Sequence, residues 1–368
     1  MLQMRASLKT AASYGLRFTG MDRLIGTLTG ASQIPAVISY HRVVEHFEES
    51  SRTSIPPMLI STRMFEQHLD WIGQHYDFAS LDEIGNRLET GAGFKRPTAA
   101  IAFDDGYSDV YHNAFPLLVK KGIPATVFVV TGTVDTQQMM IHDKLYLLLD
   151  SAFANARQTS RQVVELLRNA DIVTSRMERI GRMQPNAFVV MAALLDDVPQ
   201  AQANRMTEVL EARFGLGNGS YPELSSLSWE MLEKMQSAGM TIGSHTRTHA
   251  LLTNESREKV IEETTRSRRD LEDRLRVTTQ HFAYPDGRHN TDTTAAVAAA
   301  GYRFAYGTCR QRDPKHPLMT IPRKVLWEKS SVDSDGRFSP AMMACQMNWV
   351  FDLGSNCAHD HGHRRSET

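Results

Sequence analysis

Cysteine is scarce in this sequence: three in 368 residues, Cys309, Cys345 and Cys357, with no Cys-x-x-Cys spacing. An odd, scattered set excludes a disulfide framework and a cysteine-built zinc ribbon, and fits a reducing compartment. An excess of charge of one sign is lacking too. Forty-one Lys and Arg against 42 Asp and Glu leave a formal net charge of −1, which removes the electrostatic footprint of a nucleic-acid binder. The basic run RSRRD (266–270) sits among acids on a helical pattern and reads as a solvated face. No apolar run reaches about 18 residues, so no membrane span is expected. Residues 1–34 carry Arg5, Lys9 and Arg17 but never build the apolar core of a signal peptide. Their leucines allow an amphipathic helix that packs on the protein body or touches a membrane surface. A cytoplasmic location, peripheral to a membrane at most, is the expectation.

What the chain does contain is a set of short apolar runs rich in β-branched residues, at 35–40, 98–103, 125–130, 240–244, 281–284 and 302–306. Helix-period segments alternate with them, the pattern of parallel strands joined by helices, and in a barrel the strand ends carry function. Residues 62–75 space Phe65, Leu69 and Ile72 on one helical face. Residues 226–239 offer Ser228 as N-cap, turn Leu232 and Met235 inward and stop at Gly239. Between 135 and 226 the strand rhythm gives way to helix-like segments, read as an insertion beside the barrel or over its mouth that governs access rather than chemistry. The expected division is 1–34, an N-terminal helical segment; 35–134 with 227–330, the barrel; 135–226, the insertion; and 331–368, a C-terminal segment. His359, His361 and His363 belong to a short polar tail expected to be disordered rather than to form a metal site.

The chemistry concentrates in IAFDDGYSD (101–109), where an apolar run ends in Asp104 and Asp105 before Gly106. Burying either carboxylate without a partner would cost several kcal/mol. The pair is therefore a solvated turn, or it holds a divalent metal with one carboxylate and keeps the other as a base. His245 and His249, four apart after the strand at 240–244, supply the missing ligands. Together with an aspartate they make an Asp-His-His set that leaves metal positions open for water and substrate.

The stretches AIAFDDGYSDVYHNAFPLLVKKGIPATVFVV (100–130), LSWEMLEKMQSAGMTIGSHTRTHALLT (227–253) and FAYPDGRHN (282–290) resemble, in that order, the polysaccharide deacetylase family. This is carbohydrate esterase family four, the NodB homology domain, and the resemblance runs from Ala36 to about Trp327 apart from the insertion. It implies an α/β fold, a distorted TIM-like (β/α) barrel, and metal-dependent hydrolysis of N-acetyl groups from N-acetylhexosamine units of an N-acetylated carbohydrate. Carried over by motif, Asp104 matches the catalytic base, and Asp105, His245 and His249 match the ligands of one divalent metal, usually zinc. Backbone N–H groups near Asp105 and Gly106 would help to hold the oxyanion. Ser244 and Thr246 flank the histidines, either bracing the loop or fixing an imidazole tautomer.

The sequence departs from the common family pattern twice. The arginine that usually stands two residues before the third motif's proline is absent, Ala283 taking its place, and no Leu-x-His follows near the C-terminus. Both departures match a subfamily that includes poly-N-acetylglucosamine deacetylases, with YH after the first strand and YPxG in the third motif. Here these are Tyr40-His41 and Tyr284-Pro285-Asp286-Gly287. The resemblance assigns His41 as general acid, with His316 as the alternative, and puts Tyr284 and Pro285 against substrate or behind the ligands. Arg323 either replaces the missing arginine, orienting Asp104 or holding substrate, or lies at a surface strand edge. Two other functions fit the same chain: hydrolysis of a different amide, such as a sugar formamide, and carbohydrate binding by an inactive site. A role in envelope or exopolysaccharide biosynthesis follows from the leading reading.

Overall fold

The computed structural model describes residues 2–30, 34–154, 158–216 and 221–353. Cys357 and the three tail histidines lie outside the described residues. In chain order the strands are β1 (Ala36–Tyr40), β2 (Arg42–Val44), β3 (Leu59–Ser61), β4 (Asp77–Phe78), β5 (Thr98–Phe103), β6 (Ala125–Val129), β7 (Thr241–Ser244), β8 (His281–Ala283), β9 (Phe304–Gly307) and β10 (Ile321–Val325). The main sheet runs β1-β10-β9-β8-β7-β6-β5-β4, and pairing of β1 with β5 closes it into a parallel barrel. The short β4 rests on the start of β5, while β2 and β3 form a separate parallel pair. This is the distorted (β/α) barrel that the motifs imply.

Local sequence explains the elements. β5 (TAAIAF) and β6 (ATVFV) are buried throughout, as continuous apolar runs must be when a parallel sheet has side chains on both faces covered. Outside the ring, the helix Thr62–His75 buries Phe65, Leu69 and Ile72, and Ser61 caps it by accepting from the Met64 N–H. The helix Trp229–Ser237 buries Leu232 and Met235 behind Ser228, which accepts from the Met231 N–H. Gly239, at φ 91°, then turns the chain into β7.

Between β6 and the helix Trp229–Ser237 there are five α-helices among the described residues: Ile141–Phe153, Ser160–Asn169, Met177–Gly181, Ala187–Leu195 and Gln200–Phe214. They share an apolar cluster that includes Leu149, Val163, Val190 and Leu210, and Tyr107 and Val130 of the barrel join it. The helical segment is therefore packed onto the strand ends rather than hung beside them.

His68 shows what burial does to a titratable group in this core. Its Nδ1 lies 3.0 Å from Tyr40 Oη and its Nε2 2.5 Å from Ser331 Oγ. Full burial pushes the imidazole down to about 3. Above the ordinary histidine value of about 6.5 both folded and unfolded chains hold it neutral, so its stabilisation is complete there. As pH falls below that value the unfolded chain gains a proton that the folded chain refuses, so stability drops, by about 2 kcal/mol at about pH 5 from this group alone. Denaturant titrations should show that His68→Gln is less stable than wild type at neutral pH. It should also lose about 2 kcal/mol less than wild type between about pH 7 and pH 5. Equal losses in the two proteins would refute a buried neutral His68.

Candidate active site

The two aspartates end β5 under tight backbone control. The Asp104 N–H donates to Tyr40 O at 2.9 Å, and the Gly106 N–H turns back to Asp104 O at 2.9 Å. The turn places Asp105 at φ 71° and Gly106 at φ 79°, a left-handed region that costs a non-glycine residue about 1–3 kcal/mol. A Cβ on Gly106 would stand 3.2 Å from Val129 Cγ1, which is why glycine follows the pair. The Gly106 N–H is thereby already engaged by Asp104 O.

Both histidines leave β7 on a loop that is strained and clamped. Thr246 and His249 lie at φ 66° and 61°. Buried Glu263 holds the loop by accepting from the Arg247 N–H at 2.8 Å, the Thr248 N–H at 2.9 Å and the Thr248 hydroxyl at 2.8 Å. His245 Nδ1 sits 2.8 Å from Ala283 O, so a backbone carbonyl of β8, and neither Ser244 nor Thr246, sets its tautomer and aims Nε2 at Asp105. Ser244 instead ties β7 to the helix Arg257–Leu275 through Ser267 Oγ at 2.8 Å.

His245 Nε2 and His249 Nε2 lie 3.5 and 3.2 Å from Asp105 Oδ1. The ligand atoms of the three residues fall within 4.8 Å of one another, the one such group among the described residues. Asp105 Oδ1 is buried, and no hydrogen bond of acceptable angle reaches it. A buried carboxylate oxygen facing two imidazole nitrogens at these spacings fits a divalent cation.

Asp104 has a different partner. Arg323, buried in β10, donates from Nη1 to Asp104 Oδ1 at 2.5 Å and packs over the Phe128 ring. Of the alternatives open for this arginine, the geometry realises the bond to Asp104. His41, Asp104, Asp105, His245, His249 and Arg323 all line one cavity of about 530 Å³. His41 Nδ1 is buried there without a hydrogen bond. His316 lines no part of this cavity, and neither do Tyr284 and Pro285. Tyr284 is in the core, edge-on to Phe282, and its neighbours Asp286, Gly287 and Arg288 reach the cavity in its place. A larger cavity of about 840 Å³ lies beyond the helix Ile141–Phe153 and contains none of the triad.

The charges divide by environment. Burial pushes the Asp104 carboxyl up, but Arg323, His245 and His41 outweigh it and hold the group below the ordinary carboxylate value. Burial likewise opposes ionisation of Asp105, and His249, His41 and His142 overcome it by a wide margin. Burial drives His245 down to about 4 despite both aspartates. Asp105 raises His249 above its ordinary value against the same desolvation.

One contributor escapes the motifs. His142, at the start of the helix Ile141–Phe153, puts Nε2 at 4.0 Å from Asp105 Oδ2 and 2.8 Å from Tyr107 Oη. Tyr107 also donates to Asp143 Oδ2 at 2.6 Å. The helical segment thus brings an imidazole to the site. Arg42 supports the same wall, donating from Nε to Asp109 Oδ2 at 2.7 Å. The adjacent His142-Asp143 pair, polar at the head of an apolar helix, was the available signal.

With this geometry in view, comparison with known proteins defines the class. A family model described as polysaccharide deacetylase matches residues 91–177 and 189–305, more than half of the chain. The chain belongs to the polysaccharide deacetylase family. Among curated relatives, a poly-beta-1,6-N-acetyl-D-glucosamine N-deacetylase of Staphylococcus aureus (strain MSSA476) is 34% identical over 106 residues, 26% of this chain and 36% of that protein. A putative polysaccharide deacetylase, YxkH, of Bacillus subtilis (strain 168) is 26% identical over 87 residues, 23% of this chain and 31% of that protein. The chain thus spans about a third of the length of the curated relatives it matches. The fold is similar to that of IcaB from Ammonifex degensii, at 20% identity and TM-score 0.50 over 85% of this chain and 96% of that one.

Removing Arg323 tests the pairing. Arg323→Ala leaves Asp104 buried without its cation, and turnover of an N-acetylated substrate should fall about 10²-fold or more. Metal content should be unchanged, and Arg323→Lys should recover part of the loss. Wild-type turnover in Arg323→Ala would show that the contact plays no part in the reaction.

Proposed function

We propose that the chain is a metal-dependent N-deacetylase of N-acetylhexosamine-containing carbohydrate, releasing acetate and leaving a free amine on the sugar. The observation that carries this reading is the division of labour between neighbours: Asp104 bonded to Arg323 at 2.5 Å, and Asp105 facing two imidazoles, in one cavity. A divalent metal on Asp105, His245 and His249, zinc by the two-nitrogen, one-oxygen donor set, supplies Lewis-acid polarisation and eases ionisation of water.

The chain's own groups do the rest. Arg323 keeps the Asp104 carboxylate ionised and fixed, so that it can accept the proton of the attacking water. His41, on the same cavity wall, donates a proton to the departing nitrogen, which does not leave as an amide anion. His142, held by Tyr107 at 2.8 Å, keeps an imidazole 4.0 Å from the far oxygen of Asp105. Ile55, Phe188 and Met191 supply an apolar wall against which a sugar face or acetyl methyl can pack. The scarcity and scatter of cysteine, three in 368 residues with no Cys-x-x-Cys, support a reducing compartment, the cytoplasm, where the substrate is an intermediate of an envelope or exopolysaccharide polymer.

Assays with N-acetylated hexosamine oligomers should release acetate rather than formate. Asp104→Asn should abolish most of that turnover with metal retained. His41→Ala should slow amide hydrolysis by roughly 10²–10⁴-fold, the usual worth of positioned acid catalysis, while an activated ester, whose leaving group needs little protonation, suffers far less. Equal losses on amide and ester would remove His41 from the acid role.

A further inference from the structure

The apolar sides of the two N-terminal helices face away from the protein. The helix Leu2–Thr19 turns Ser13 inward, where its hydroxyl meets Met342 Sδ at 3.1 Å. Arg17 also turns toward the protein, reaching Asp22 at 3.5 Å and His75 at 3.3 Å. The helix Met21–Leu28 buries Asp22 and Gly26, and Asn348 donates to Asp22 at 3.3 Å. The outer stripe is Leu8, Tyr14 and Phe18 on the first helix and Met21, Leu24 and Leu28 on the second. Phe18 is 94% exposed, Leu28 78% and Leu8 64%. Phe18 follows Tyr14 by four residues and Leu8 by ten, and Met21, Leu24 and Leu28 are three and four apart, so each set keeps to one side of its helix. A surface helix of a globular protein has the opposite arrangement.

Charge narrows the occupant. Asp22 is the sole acid among residues 2–30, and it is fully buried and paired with Arg17, so Arg5, Lys9 and Arg23 leave the segment net basic. No described helix is long and apolar enough to cross a membrane. We propose that this helix pair lies in the plane of an anionic lipid bilayer, with the Phe18–Leu28 stripe in the acyl boundary and exposed Arg23 at the headgroups. A two-fold contact between copies through the same face would bring like charges together, whereas a lipid surface complements them. The inference stands apart from the deacetylase reading. It also has an orientation. His75 precedes β4, whose Asp77 pairs with Thr98 at the start of β5, and Asp104 follows the end of β5. The Arg17 corner is therefore at the strand-start end of the barrel, away from the catalytic aspartate.

The test is flotation of the full chain with vesicles of phosphatidylcholine alone and of phosphatidylcholine with phosphatidylglycerol. Wild type should float with the anionic vesicles, less with the neutral ones and less at high salt. The double variant Phe18→Glu, Leu28→Glu should lose about tenfold or more of that binding, the scale of withdrawing large apolar side chains from the interface. Because both side chains are exposed, its melting temperature and metal content should match wild type, which separates lost binding from lost folding. Arg23→Glu should weaken binding to the anionic vesicles alone. Wild type that fails to float, or a double variant that floats equally, overturns the proposal. So does wild type that forms dimers which the double variant splits while neither binds vesicles, since the face would then join two copies.

Discussion

Two adjacent carboxylates buried at the end of one strand are the constraint on which this site depends. Asp104 and Asp105 cannot both ionise in a desolvated pocket unless each receives its own positive partner. The chain separates them by backbone geometry: the left-handed turn at Asp105 and Gly106 sends the two side chains to different partners. One meets Arg323 and the other meets His245 and His249. Barrel closure makes the first meeting possible, because β1 pairs with β5 on one side and with β10 on the other. Arg323 thereby reaches an aspartate 219 positions away in sequence. The same closure puts His41, which follows β1, on the wall of the cavity that both aspartates line.

The second meeting is held by strain and by buried acceptors. Asp105, Thr246 and His249 adopt positive φ, and Glu263 binds the loop that carries both histidines. Such conformations persist only where the surroundings over-determine them, and here they fix ligand positions before any substrate arrives. The helical segment contributes at this level too. It supplies His142 behind Asp105 and an apolar wall opposite it, so the barrel and its insertion build one cavity between them.

The sequence makes the ring largely legible. Continuous apolar runs locate β1 and β5 to β9 within a residue or two, because burial on both faces leaves little room for polar side chains. β10 is hidden, since Pro322, Arg323 and Lys324 interrupt its apolar pattern, and the functional arginine is itself the interruption. In the site, the carboxylate and imidazole motifs are local and readable. Arg323 bonded to Asp104 and Glu263 clamping the loop are long-range pairings that no spacing rule announces. His142 is obscured because a histidine at a helix start has many ordinary explanations. Tyr284 matches a motif, yet its ring is core, and the motif's contribution to the cavity comes from the turn that follows it.

The central claim is that Asp105, His245 and His249 hold one divalent metal beside an ionised Asp104. Anomalous diffraction on either side of the zinc absorption edge, from crystals of the full chain grown with equimolar zinc, tests it most directly. The account predicts a single strong peak at about 2.0–2.2 Å from one Asp105 oxygen and from one nitrogen of each histidine. Asp104 should be outside the coordination sphere and still bonded to Arg323. A peak at another cluster, no peak, or Asp104 as a ligand in place of Asp105 would contradict it.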